Sequence, residues 1–178
     1  MENDTLVVGR AIRAIEYSIP TYNKFLQPGI SKEDYIKSPE GLGLILSYNP
    51  FELQSKGITL LENYTSTQSL DIEDTLVEDI IANHARFKKV LNITFENISK
   101  DVSEQMRYLK NNEPWIADLL LGKLNNPKMF DYYVSDTHRA RLAIHYTLVN
   151  GNLLPILIQF QSKMKTTLVL LEKRLEED

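Results

Sequence analysis

Residues 71–110 read DIEDTLVEDIIANHARFKKVLNITFENISKDVSEQMRYLK, a run with neither glycine nor proline. Apolar or near-apolar side chains recur in it at Leu76, Ile80, His84, Phe87, Leu91, Phe95, Ile98, Val102, Met106 and Leu109, in steps of 4, 4 and 3 taken three times. An eleven-residue repeat of this kind corresponds to about 3.67 residues per turn, the period of an almost straight α-helix. The stretch is expected to form one helix about 60 Å long. Val77 and Ile81 widen its apolar face in the first half. The second half carries a narrower stripe, and Phe95, Ile98, Val102, Met106 and Leu109 are the candidate contact for a second copy of the chain.

Outward from this spine, helix punctuation organises the rest. Asp4 is placed to cap a first helix running to about Ile19, where Pro20 is expected to end it; its stripe is Val8, Ala11, Ile12, Ile15 and Ile19. Residues 20–57 are broken by Pro28-Gly29, Ser38-Pro39, Gly41, Gly43, Asn49-Pro50 and Gly57, which predicts short helices and turns. Ser31 and Asp34 have the spacing of a capping box, and Asn49-Pro50 pairs a cap with proline at the first helical position.

After the spine, Asn111 and Asn112 are stop signals, and Pro114 opens a short helix over 115–124. Asn125, Asn126 and Pro127 repeat that device. Ser135 is a good cap for a helix to Asn150, which Gly151 is expected to break. Asn152 and Pro155 then open a last helix to about Glu176, with the stripe Leu157, Phe160, Met164, Leu168, Leu171 and Leu175. No strand pattern competes. The expected fold is all-α: an elongated antiparallel helical bundle with the long helix as spine and a long C-terminal helix. Residues 1–178 read as a single domain, with 1–57 supplying an N-terminal helix, short helices and turns, and 58–178 the main bundle.

Composition narrows the function. There is no cysteine, which removes thiol catalysis, cysteine-based zinc sites and disulfides. Twenty basic against 24 acidic residues give a net charge of −4, unlike the basic stripe of a nucleic-acid binder. No run reaches the roughly 18 apolar residues that span a bilayer. Glu-x-x-His and His-Glu-x-x-His spacings are absent, as is a phosphate-binding loop, and Gly41-Leu-Gly43 reads as a turn. No catalytic residue, metal site or cofactor is assigned.

The remaining candidates are the histidines and their neighbours. His84 falls inside the apolar stripe of the spine, while His138 and His145 share a helical face. These two are about 10 Å apart along a helix axis, too far to share one metal unaided. Each reads either as a hydrogen-bonded core histidine or as a ligand- or pH-sensing group, since burial would depress its pKa. Tyr132, Tyr133, His138, Arg139, Arg141 and His145 form the candidate ligand-binding set, because guanidinium groups beside aromatic rings suit a carboxylate or phosphate. The alternative is a solvated basic face with packed tyrosines. Arg86, Lys88 and Lys89 read as a solvated face too. Trp115 is either a core plug or an exposed anchor for a partner. Asn63-Tyr-Thr65, Asn92-Ile-Thr94 and Asn97-Ile-Ser99 match the glycosylation sequon by accident of composition, two of them inside the predicted spine.

The segments Ala14-Ile-Glu-Tyr17, Pro50-Phe-Glu-Leu-Gln-Ser-Lys-Gly57 and Leu124-Asn-Asn-Pro-Lys-Met-Phe130, together with the final long helix, resemble an uncharacterised family of bacterial helical domains that normally follow an N-terminal transmembrane helix. The resemblance implies an extracytoplasmic, membrane-tethered domain and carries over no catalytic residue; this sequence lacks the membrane helix. Without that resemblance the expected location is cytoplasmic. The function expected is a non-enzymatic sensor or protein-interaction domain, with a protein partner or self-association, no nucleic acid, and contact with a membrane only through an anchor outside this chain. Two alternatives stand beside it: a structural assembly protein such as a phage component or scaffold, and a helical ligand- or metal-binding protein that uses buried histidines.

Overall fold

A computed structural model describes residues 2–46, 50–53, 56–67 and 75–177. Among them the only regular structure is helical: α1 (Glu2–Phe25), α2 (Lys32–Lys37), a 3-10 segment (Pro39–Leu46), α3 (Lys56–Thr67), α4 (Thr75–Asn112), α5 (Ile116–Leu120), α6 (Pro127–Tyr133), α7 (Asp136–Tyr146), a π-helical segment (Thr147–Leu153) and α8 (Leu154–Glu177). The spine is α4, 38 residues ending at the expected asparagines. Residues 71–74, Asn49, the side chains of Tyr64 and Thr65, and that of Leu175 lie outside the described residues.

Three long segments make the bundle, and pairwise contacts fix their directions. Phe87 meets Phe160 with ring centroids 5.3 Å apart, while further along α4 Asp101 meets His145 and Gln105 meets Arg141. As α4 advances its partner recedes, so the α7–α8 rod is antiparallel to it. The Gln161 amide reaches the Thr5 carbonyl, and Tyr22 packs on Tyr146 at 5.3 Å, which makes α1 antiparallel to the rod as well. Gly9 lets α1 and α8 approach closely, for a Cβ there would stand 2.8 Å from the Gln161 amide nitrogen. α3 lies along α4, with Ile58 buried.

Two expected helix ends are not ends. α1 runs through Pro20 to Phe25. Proline inside a helix removes one hydrogen bond and costs about 3 kcal/mol. Here Pro20 and Glu16 are exposed, so the freed carbonyl of Glu16 can be hydrated, and the next turn is anchored by the buried Tyr22 and Phe25. Asp4 lies within the first turn of α1 and is buried, rather than standing before the helix as its cap. Likewise Gly151 does not break the C-terminal rod. Pro155 has no N–H to offer the preceding turn, and the chain widens over Thr147–Leu153, with the Leu154 N–H donating to the Val149 carbonyl. One continuous rod therefore runs from Asp136 to Glu177.

Elsewhere the punctuation acts as expected. Ser31 and Asp34 close a capping box on α2, Asn126 accepts from the Lys128 N–H, and Ser135 accepts from the His138 N–H. α5 is shorter than its sequence suggests, because Gly122 at φ +72° turns the chain just after Leu121. Pro50 opens no helix: residues 50–53 are irregular, and Phe51 packs edge-on against Phe95 at 5.2 Å.

The core has two parts. An aromatic head gathers Tyr22, Phe25, Tyr35, Leu109, Trp115, Met129, Phe130, Tyr132, Tyr133 and Leu142 with Leu42, Leu44 and Ile45 of the 3-10 segment. A shaft gathers Val8, Ile12, Leu91, Phe95, Ile98, Leu153, Leu154, Leu157, Phe160 and Met164. Residues before and after position 57 contribute to the head together, so that sequence boundary is not a boundary in the core. The second half of the spine stripe is also covered: Phe95, Ile98 and Leu109 are buried, and Val102 and Met106 pack partly buried against the two clusters. Much of that stripe is therefore covered within the chain, by the 3-10 segment, the π-helical segment and the α7–α8 rod.

Candidate functional site

The six side chains singled out from the sequence are divided among three environments. His138, Tyr132 and Tyr133 lie inside the aromatic head, where His138 meets Tyr133 edge-on at 4.6 Å, Tyr132 at 5.3 Å and Tyr35 at 6.1 Å. Both ring nitrogens of His138 and the Tyr132 hydroxyl make no hydrogen bond among the described residues. Burial, with the Arg141 charge as a smaller influence, pushes the His138 pKa down to about 3. Burial likewise raises the phenols of Tyr35, Tyr132 and Tyr133. His138 is therefore a neutral core residue at ordinary pH. Trp115 is the plug of the same head, its indole N–H donating to the Glu113 carboxylate at 2.6 Å.

Arg139 is on the surface and pairs with Asp136 at 2.6 Å. Arg141 and His145 face α4 and join one polar chain. His145 Nδ1 stands 2.8 Å from Asp101 Oδ2, Gln105 donates to Asp101 Oδ1 at 3.3 Å, and Arg141 donates to Gln105 Oε1 at 2.5 Å. The Arg141 guanidinium also stacks over the Tyr108 ring at 3.7 Å. These hydrogen bonds join α4 to α7, and the six residues, spread over three environments, do not converge on one ligand. His84 is separate again, buried against Phe160 near the other end of α4. Its pKa is lowered chiefly by burial, against the opposing pull of the Asp4 carboxylate. Arg86, Lys88 and Lys89 are exposed, as are Asn92 and Asn97 within α4.

A concave site does exist in the shaft, where the sequence reading placed none. A half-enclosed cleft of about 490 Å³ opens between α1, α4 and the π-helical segment. One wall is a row on α1: Val7, Ala11, Ala14 and Ser18, ending at Tyr22. Phe95 and Ile98 of α4 form the second wall, and Val149 and Leu153 of the π segment the third. Pro50 and Phe51 lie across one side, and Arg10 is at the exposed mouth.

The local causes are visible in the residues. In the middle of the α1 wall Ala11, Ala14 and Ser18 are small, and they leave space between helices that larger side chains would fill. The widened π turn supplies Val149 and Leu153 to that space, and single π turns often occur at functional sites. The only sequence signal for this cleft is that set of small residues, and a row of small residues equally suits tight helix contact.

The chemistry of the cleft is apolar. The Ser18 hydroxyl donates to the Ile15 carbonyl at 2.7 Å, and the Tyr22 hydroxyl donates to the Leu44 carbonyl at 3.3 Å. Burial first, and the nearby Asp101 charge second, raise the Tyr22 phenol well above its ordinary value, so it stays neutral. The Tyr22 ring also stacks on His145 with centroids 6.3 Å apart, which sets the inner end of the cleft against the polar chain between α4 and α7. Among the described residues no three potential metal-binding side chains gather. No helix of the described residues is long and apolar enough to cross a membrane.

Comparisons with protein-family models, with curated proteins and with solved structures find no match to the chain.

Proposed function

We propose that this chain is a non-enzymatic helical sensor domain that binds an apolar small molecule in the α1–α4 cleft. The observation that carries the reading is the cleft itself, about 490 Å³ of half-enclosed space walled by Val7, Ala11, Ala14, Phe95, Ile98, Val149 and Leu153. Protein interiors hold few voids larger than a water molecule, and ligand sites are concave, mostly apolar and of this size. The lining favours binding over catalysis, since the Ser18 and Tyr22 hydroxyls are engaged with backbone carbonyls.

The position of the cleft suits a sensor. Its third wall belongs to the π-helical segment, and its inner end is Tyr22, which touches His145 of the α4–α7 polar chain. An occupant that favours one arrangement of that wall would shift the rod relative to the spine, and a ligand shifts such an equilibrium only by its differential affinity.

The test uses the neutral fluorescent probe Nile red with the full chain. Saturable binding near one probe per chain is expected, lost in Ala14→Trp, whose indole would fill the cleft. Equal binding by Ala14→Trp, with its circular dichroism unchanged, would remove the cleft as the site.

A further inference from the structure

The walls of the cleft are apolar, but its mouth is not. Among the described residues that line it, Arg10 alone carries a charge. Arg10 is exposed and makes no hydrogen bond or ion pair to another described residue, so its guanidinium is available at the entrance. The nearest acidic residue on the covering segment, Glu52, lines the neighbouring grooves with Asn92 and Phe95 and does not line this cleft. The mouth is thus locally positive on a chain whose net charge is −4.

Behind Arg10 the cleft follows α1 past Ala14 and Ile15 to Tyr22. Twelve residues of helix span about 18 Å, the reach of a tail on the order of a dozen methylenes. Tyr22, at the inner end, has its hydroxyl turned to the Leu44 carbonyl and offers its ring. One cationic end, an elongated apolar body and no polar group demanding a partner at the far end define a molecule that is itself polar at one end only.

We infer that the cleft takes an anionic amphiphile, its head against the Arg10 guanidinium and its single tail lying along Ala14 and Ile15 toward Tyr22. The inference rests on the reading of the cleft as a ligand site and adds the chemical class of its occupant. A guanidinium meets a carboxylate through two parallel hydrogen bonds, a geometry that neither an alcohol nor a quaternary ammonium reproduces. Because Arg10 is exposed, solvent screens the pair, and the charge sets preference more than total affinity.

The experiment is displacement of bound Nile red from the full chain by dodecanoate and dodecyltrimethylammonium below their micellar concentrations, and by dodecanol below its solubility limit. Dodecanoate is expected to displace the probe at about fivefold lower concentration than the alcohol, and the cation to be weakest. Arg10→Gln should bring dodecanoate level with dodecanol without altering the melting temperature, and Arg13→Gln, at an exposed α1 arginine that does not line the cleft, should leave the preference in place. Dodecanol displacing as well as dodecanoate, or a preference that survives Arg10→Gln, overturns the anionic class while leaving an apolar cleft. Nile red that fails to bind at all, or that no amphiphile displaces, overturns the class and the cleft together.

Discussion

In the head, Phe25 and Tyr35 stack with centroids 4.2 Å apart, and Trp115, Tyr132 and Tyr133 meet one another at 5.4–5.7 Å. In the shaft the same long helices meet through Val8, Ile12, Ile98 and Leu157, and beside that contact they stand far enough apart to leave a cleft. The head is made by short elements with proline, glycine and asparagine stops, which wrap rings around the ends of α4 and α1. The shaft is built mainly of rods, which touch along lines, with the irregular Pro50 and Phe51 laid across one side. Where Ala11, Ala14 and Ser18 face the gap, that cover does not fill it. A closed end and an open flank thus arise in one core, and the first should carry more of the stability while the second is free to bind.

Removal of the plug should have the largest effect. Trp115→Ala deletes a fully enclosed ring and its hydrogen bond to Glu113, and should destabilise the fold by about 3–5 kcal/mol. Phe51→Ala, which removes a ring from the irregular cover of the cleft, should cost about 1 kcal/mol. Urea unfolding of both variants measures the contrast, and equal losses would mean that the cover is as structural as the plug. Gly41→Ala probes the same closure from the opposite direction. A Cβ at Gly41 would run into the Phe25 ring, so one added methyl should cost about 1–3 kcal/mol, whereas Gly43→Ala, with open space around it, should be nearly neutral.

The head also has a chemical weakness that the shaft shares only in part. His138 stays neutral down to about pH 3 when folded, whereas an unfolded chain protonates histidine near its ordinary pKa of about 6.5. The unfolded state therefore binds more protons between those limits. The stability held by neutral His138 is complete above about pH 6.5 and falls as the pH drops, by about 2 kcal/mol between pH 7 and pH 5. His84, also shifted downward by burial, adds a loss of the same sign. The groups around His138 are the phenols of Tyr35, Tyr132 and Tyr133 and the Arg141 cation, none of which favours the imidazolium. His138→Phe should flatten most of this acid dependence in thermal melts at pH 7 and 5. A slope unchanged by that replacement would place the sensitivity elsewhere.

Much of the fold was legible in the sequence because helix period and caps are local. The 4, 4, 3 spacing through Leu91, Phe95 and Ile98 anticipates α4, and Ser31, Asn126 and Ser135 cap the helices expected of them. Pro20 and Gly151 mislead for one reason: each local penalty is outweighed by packing that the linear sequence does not display. Beyond Pro20 the anchors are Tyr22 and Phe25, and beyond Gly151 they are Leu153, Leu154 and Leu157. The histidines and arginines attract notice by their chemistry, yet His138 is enclosed by tyrosines and Arg141 is held by Gln105 and Tyr108. The cleft was illegible because it belongs to no single element: it is the space left when Ala11 and Ala14 of α1 face Phe95 of α4 and Val149 of the rod.

That origin gives the mildest and most specific prediction. If the cleft exists because small residues line it, enlarging one of them should improve packing, unlike the addition of a methyl at Gly41 in the head. Ala11 lies partly buried against the shaft cluster, and Ala11→Leu adds apolar area toward Phe95 and Val149 with no new polar atom. Filling a pre-existing space in this way should raise stability by about 0.5–1 kcal/mol, read as a higher melting temperature, while Nile red binding falls. A rise in stability with binding intact would mean that the probe sits elsewhere. A loss of stability would mean that the walls are already in contact and that shaft and head are equally closed. The two readouts must move in opposite directions, because within this reading the same unfilled space weakens the shaft and admits the ligand.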